Sequence, residues 1–142
     1  MPEQRFEARI EGFLPVSIDR AWEALATEKG FSKVYEGIKA EGDWRVGGAV
    51  IWSGEWEGKS FRDEGTILTY NRPTLFVYTY WTSFWGLPNT PENTQTISNA
   101  FATAPGGTKV TIVQSNITSV QSRDQSEKNW KDILAKLADW LK

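Results

Sequence analysis

Residues 125–141 place Trp130, Ile133, Leu134, Leu137, Trp140 and Leu141 at i, i+3, i+4, i+7, i+10 and i+11, the spacing of a helix with one apolar stripe. A stripe of this size must be covered. The only large surface the chain offers is the run of strands that precedes it, so the spacing predicts a sheet closed over one long C-terminal helix. A curved sheet gripping a single helix leaves an apolar hollow between the two, and that hollow is where function is expected.

The rest of the chain supports one domain over residues 1–142. A chain of 142 residues buries roughly 68% of its unfolded surface, enough for a core without staples. Charge is nearly balanced, with 16 Lys plus Arg against 18 Asp plus Glu, and no basic stretch interleaved with aromatics occurs. Nucleic acid and anionic membrane are therefore poor partners. The absence of cysteine excludes disulfides, thiol nucleophiles and thiolate metal sites. The absence of histidine removes the usual general base, the usual zinc ligand and every Ser-His or Cys-His arrangement. No metal or cofactor is expected, and acid–base chemistry would fall to Asp, Glu, Lys or Tyr. No basic-then-apolar leader opens the chain, and no stretch approaches the roughly 18 apolar residues of a membrane span, so a cytoplasmic location is expected. Asn116-Ile117-Thr118 matches the glycosylation pattern, but so short a match carries no weight.

Phe6, Ala8, Ile10, Gly12 and Leu14 alternate with Glu7, Arg9, Glu11 and Phe13, the period of a strand wet on one face. Pro15 ends it, and Ser17 stands as N-cap to a short helix reaching about Ala26, with Ile18, Trp22 and Leu25 on its apolar face. Gly30 is read as an interruption before a second short, irregular helical piece carrying Phe31, Val34 and Tyr35, whose aromatics are expected at the mouth of the hollow. Strands follow from Ile38. Val50, Trp52 and Trp56 share one face, and Gly58 closes their strand. Phe61, Asp63, Gly65, Ile67 and Thr69 alternate with polar neighbours, and Asn71-Arg72-Pro73 makes a turn. Residues 75–81 are apolar on both faces, so alternation does not orient them. Residues 82–93 form a Gly/Pro loop bearing Phe84, Trp85 and Leu87. Two further strands meet at Pro105-Gly106-Gly107, and Ser122 with Gln125 fits a capping box for the last helix.

Several of these stretches resemble one family. Residues 19–25 (Asp-Arg-Ala-Trp-Glu-Ala-Leu) are similar to the first-helix motif of START-like (SRPBCC) proteins, in the subgroup named for homologues of the heat-shock protein ATPase activator. Trp44-Arg45-Val46-Gly47-Gly48, Gly65-Thr66-Ile67, Asn71-Arg72-Pro73-Thr74-Leu75, residues 107–112 and the Trp130, Leu134, Leu137, Leu141 set complete the likeness in order along nearly the whole chain. The resemblance implies an α+β helix-grip fold: a curved antiparallel sheet wrapped around the long C-terminal helix, with two short helices after the first strand. It also implies an internal cavity. Members include lipid and polyketide binders, cyclase-like enzymes, stress proteins and a chaperone-binding domain, and no catalytic signature unites the subgroup. A position near the end of the last strand, often histidine in relatives, is Gln114 here, which weakens an enzymatic reading.

Strand parity supplies the candidate site. If Phe61 and Ile67 face the hollow, Asp63 does too, either as a carboxylate with a raised pKa or as an ion-pair partner of Arg62, Arg45 or Lys59. If Val110, Ile112, Ile97 and Phe101 point inward, they bring Gln114, Asn116 and Asn99 with them, amides able to orient a ligand or to bond one another. Trp52, Trp56 and Phe31 are candidate cavity walls. Trp130 and Trp140 read first as core. The candidate ligand-binding set is Phe31, Trp52, Trp56, Asp63, Asn99, Phe101, Gln114 and Trp130, with no catalytic residue assigned. Phe84 and Trp85, bulky rings in a flexible-looking loop, are expected partly exposed, as a lid over the cavity or a contact to a second copy or protein partner. The leading expectation is a binding protein for a small hydrophobic or amphipathic ligand rather than an enzyme. The alternatives are a cyclase-like or hydrolytic enzyme using Asp63, and a protein-interaction module.

Overall fold

The structure is a computed structural model describing residues 4–34 and 38–141. The side chains of Phe31 and Trp56, two of the expected cavity walls, lie outside the described residues, as does Tyr35. The first strand, β1 (Phe6–Leu14), buries Ala8, Ile10 and Leu14, as its alternation predicts. Two helices follow, α1 (Ile18–Leu25) and α2 (Glu28–Val34). Ser17 caps α1, its hydroxyl accepting from the Arg20 N–H. Gly30 does not interrupt the second helix. It lies inside α2, where an added Cβ would stand 2.1 Å from the Glu23 carbonyl oxygen, so its role is close packing of α2 on the end of α1.

Six more strands complete the sheet: β2 (Lys39–Gly42), β3 (Ala49–Trp56), β4 (Lys59–Asn71), β5 (Leu75–Thr82), β6 (Gln95–Ala104) and β7 (Gly107–Ile117). Their order is β1-β7-β6-β5-β4-β3-β2, with every neighbouring pair antiparallel. The β6–β7 hairpin turns at Gly106, whose φ of 82° explains the glycine there. The pairing carries one extra residue in β7 opposite residues 6–8 and one in β4 between Ile67 and Thr69, irregularities of the bulge type, which bend a strand and raise its local twist.

The last helix, α3 (Val120–Trp140), packs on the β1 edge of this sheet. It begins a turn before the expected start. Ser119 is the N-cap, its Oγ accepting from the Ser122 N–H, and its hydroxyl donates to Ser122 Oγ, so Ser122 does not cap a later turn. Trp130, Leu134 and Leu137 are buried against the sheet. Gly12 makes this close approach possible, since a Cβ there would lie 2.7 Å from Leu134 Cδ1. Trp140 is not core. At about 100° per residue, Leu134, Leu137 and Leu141 fall within about 40° of Trp130, whereas Trp140 is about 80° away. It is 55% exposed, with Lys33 Nζ 5.5 Å above its ring.

The concave face of the sheet is filled unevenly. At one end, Trp22 of α1 packs on Tyr70, Phe76 and Phe101 with ring centroids 5.0, 6.1 and 5.6 Å away. The Tyr70 hydroxyl donates to the Ala26 carbonyl at 2.7 Å, pinning the end of α1 to β4. Among the described residues the other end has no such plug. There the sheet curls far enough that Trp52 of β3 and Trp130 of α3 line one space.

Candidate functional site

That space is a cavity of about 590 Å³ between α3 and strands β3 to β7. Its apolar walls are Ile38, Trp52, Tyr78, Ile97, Trp130 and Ile133, and its mouth is bounded by Trp85, Leu87, Glu92 and Asn93 of the β5–β6 loop and by Ser122, Gln125, Ser126 and Asn129 of α3. This size and this mixture of apolar wall with a few convergent polar groups are those of small-molecule sites.

Asp63 reaches the cavity from β4 because it shares the inward parity of Ile67, and it is 7% exposed. Its strand partners, Trp52 on β3 and Thr82 on β5, flank it. The Tyr80 hydroxyl donates to Asp63 Oδ2 at 2.5 Å. Oδ1 is buried and accepts no well-formed hydrogen bond among the described residues. Burial pushes the carboxyl above its ordinary value of 3.8, opposed in part by the Thr82 and Tyr80 hydroxyls, which favour the charged form. The ion-pair alternative does not describe this group: Arg62 pairs with Glu64 and Arg45 with Asp43, and among the described residues no base pairs with Asp63.

Across the sheet from Asp63 runs a belt of polar side chains. Tyr80 lies beside Gln95 in the β5–β6 register, the Gln114 amide N–H bonds Gln95 Oε1, and the Trp130 indole N–H donates to Gln114 Oε1 at 2.9 Å. An indole N–H can only donate, so Gln114 must turn its oxygen to Trp130 and its NH2 to Gln95. Gln95 therefore accepts through its oxygen, which leaves its own NH2 free of this bond. The belt thus brings the Asp63 carboxylate and the Gln95 amide to the cavity lining.

Of the expected site residues, Trp52, Asp63, Gln114 and Trp130 come together in this cavity. Asn116 also lines it, but its amide is held by the Glu92 and Thr94 carbonyls at 3.3 and 2.6 Å, so it braces the loop. Asn99 and Phe101 point inward as parity requires, yet they lie under α1 and not in the cavity wall, because Trp22 fills that end of the concave face. The Nδ2 of Asn99 is buried without a hydrogen-bond partner among the described residues. Phe84 is 49% exposed and packs on Phe61 at 5.6 Å, while Trp85 is half-buried and meets Tyr80 edge-on at 5.7 Å over the cavity mouth. Tyr78, Tyr80 and Gln95 are the members that sequence reasoning missed. Among the described residues no three His, Cys, Asp or Glu side chains converge to hold a metal ion, and no helix is long and apolar enough to cross a membrane.

Comparison with known proteins agrees with this architecture. The family profile described as "Activator of Hsp90 ATPase homolog 1-like protein" matches residues 15–142. A search of curated proteins returns no match. Among solved structures, the chain is similar to ChR145 from Cytophaga hutchinsonii, at 28% identity over 99% of this chain and 96% of that one, with a TM-score of 0.85. It is similar in fold to protein CV1439 from Chromobacterium violaceum, at 22% identity, covering 95% and 96% of the two chains with a TM-score of 0.78. It also shares its fold with Ara h 8.0201, at 16% identity, covering 97% and 98% of the two chains with a TM-score of 0.76.

Proposed function

The chain belongs to the Activator of Hsp90 ATPase homolog 1-like family, and from that premise we propose that it binds a small amphipathic molecule in the cavity between α3 and the sheet. The observation that carries this reading is the cavity itself: about 590 Å³, walled by apolar side chains, with the buried Asp63 Oδ1 and the Gln95 amide on one polar belt. A domain that used only its outer surface would gain stability by filling this space, since unfilled apolar volume weakens packing. The belt would orient a ligand, and Trp85 with Leu87 would cover it.

Among the described residues Trp52, Trp85 and Trp130 line the cavity, so occupancy should be visible in fluorescence. Titration with a neutral aromatic probe such as N-phenyl-1-naphthylamine should quench emission saturably with one-site stoichiometry, and native mass spectrometry of fresh protein should report any co-purified molecule. Quenching that stays linear to the probe's solubility limit would contradict the proposal. A second reading, acid–base catalysis by Asp63, is favoured by the upward shift of its carboxyl. Turnover that Asp63→Asn lowers by roughly 100-fold or more would select it. The family's name raises a third, chaperone ATPase activation, which would be independent of cavity occupancy.

A further inference from the structure

The charge of the cavity lining constrains its ligand further. Two carboxyl groups, Asp63 in the wall and Glu92 at the mouth, line it, and no Lys, Arg or His does so among the described residues. An anionic ligand would bring a third negative charge into a space with no cation to offset it, a costly arrangement in a desolvated site. A neutral ligand would leave an ionised Asp63 with neutral hydroxyl partners and no opposite charge among the described lining residues. A cation answers both conditions.

Aromatic residues neighbour the same carboxylate. Trp52 stands opposite Asp63 in register, with its ring 5.8 Å from that of Tyr80, and Trp85 meets Tyr80 edge-on at 5.7 Å. Rings of this kind attract a cation through their negative faces, most strongly where water is excluded. The Asp63 carboxylate lies beside these rings, its Oδ2 bonded by the Tyr80 hydroxyl and its buried Oδ1 without a hydrogen-bond partner among the described residues.

We propose that the cavity selects a protonated organic amine, its ammonium group paired with the Asp63 carboxylate beside the rings of Trp52, Tyr80 and Trp85 and its apolar body lying toward Ile97 and Trp130. The proposal rests on the binding function above and adds the chemical class of the ligand. The amine supplies the positive charge that the lining lacks among the described residues. Gln95 is left to meet an acceptor elsewhere on the molecule.

Three probes of one shape separate the possibilities: 2-(1-naphthyl)ethylamine, 2-(1-naphthyl)ethanol and 1-naphthylacetate, titrated calorimetrically into the full chain at neutral pH. The amine should bind at least about tenfold tighter than the alcohol, the difference that one desolvated charge contact of about 1.4 kcal/mol makes, and the carboxylate should bind weakest. Asp63→Asn should remove the amine's advantage and leave the alcohol's affinity nearly unchanged. Trp85→Leu, at the half-exposed mouth, should weaken the amine more than the alcohol, and provides the variant should Asp63→Asn fail to fold. Equal binding of amine and alcohol by the unaltered chain, tightest binding of the carboxylate, or an amine preference that survives Asp63→Asn would overturn the proposal while the binding function stands. Binding of none of the three would overturn both.

Discussion

Replacing Gln114 by leucine tests the polar belt at its most buried link. Gln114 and Trp130 are 8% and 7% exposed, and the indole N–H has Gln114 Oε1, 2.9 Å away, as its acceptor. Leucine is close to glutamine in volume, so the substitution leaves little empty space and its effect is mainly electrostatic. The stranded indole N–H should cost about 1–3 kcal/mol, the usual penalty for a buried donor left unsatisfied. Gln95 loses its donor as well, but it borders the cavity and water can replace the bond. Trp130→Phe removes the donor from the other side, and in the double variant neither stranded group exists. Gln114→Leu with Trp130→Phe should therefore be more stable than the sum of the single changes implies, with a coupling of about 1–2 kcal/mol. Urea unfolding followed by far-UV circular dichroism gives the midpoints without relying on the altered tryptophan. Additivity to within about 0.3 kcal/mol would refute the bond and the direction assigned to the belt.

Leu134→Ala should destabilise the fold by about 2–5 kcal/mol, because Leu134 fills the contact over Gly12 and the site cannot collapse around a rigid sheet; an unchanged urea midpoint would mean that α3 is not gripped. Asp63 binds its proton at higher pH in the folded chain than in the unfolded one, so the fold bears the cost of the charged form above the folded pKa and is relieved of it as pH falls through that value toward 3.8. The stability of the unaltered chain relative to Asp63→Asn should accordingly rise on acidification, and a relative stability that falls would show that the carboxylate is stabilised by its surroundings. Phe84→Ser with Trp85→Ser should speed probe entry and release in stopped-flow fluorescence, since Trp85 covers the mouth and Phe84 anchors that turn on Phe61; identical rates would remove the loop from the account.

The sequence is most legible where one face of an element is wet. Alternation in β1 and β4 gave Ala8, Ile10, Asp63 and Ile67 their inward positions, and Ser17 marked the start of α1. Parity says which face a residue takes and nothing about what stands opposite. Asn99 and Phe101 share the inward face with Ile97, yet Trp22 of a distant helix separates them from the cavity. Tyr78 and Tyr80 were hidden because β5 is apolar on both faces, and only its register with Gln95 and Ile97 orients them. Trp140 looked like stripe because apolar spacing was counted without its angle, and Ser122 looked like a cap because Ser119 offers the same chemistry one turn earlier. The belt from Asp63 to Trp130 joins residues on four strands and a helix, a relation no local pattern in the chain encodes.

The central claim, that a small molecule occupies the space between α3 and the sheet, is tested most directly by the tryptophan indole N–H resonances of the chain. The eight tryptophans include, among the described residues, three in the cavity lining, Trp52, Trp85 and Trp130, and two internal controls, Trp22 in the α1 core and the exposed Trp140. Titrating 2-(1-naphthyl)ethanol and 2-(1-naphthyl)ethylamine into 15N-labelled protein should shift the three cavity resonances saturably with one common dissociation constant for each probe, and leave Trp22 and Trp140 in place. Shifts confined to Trp140, or cavity resonances that do not move, would contradict it.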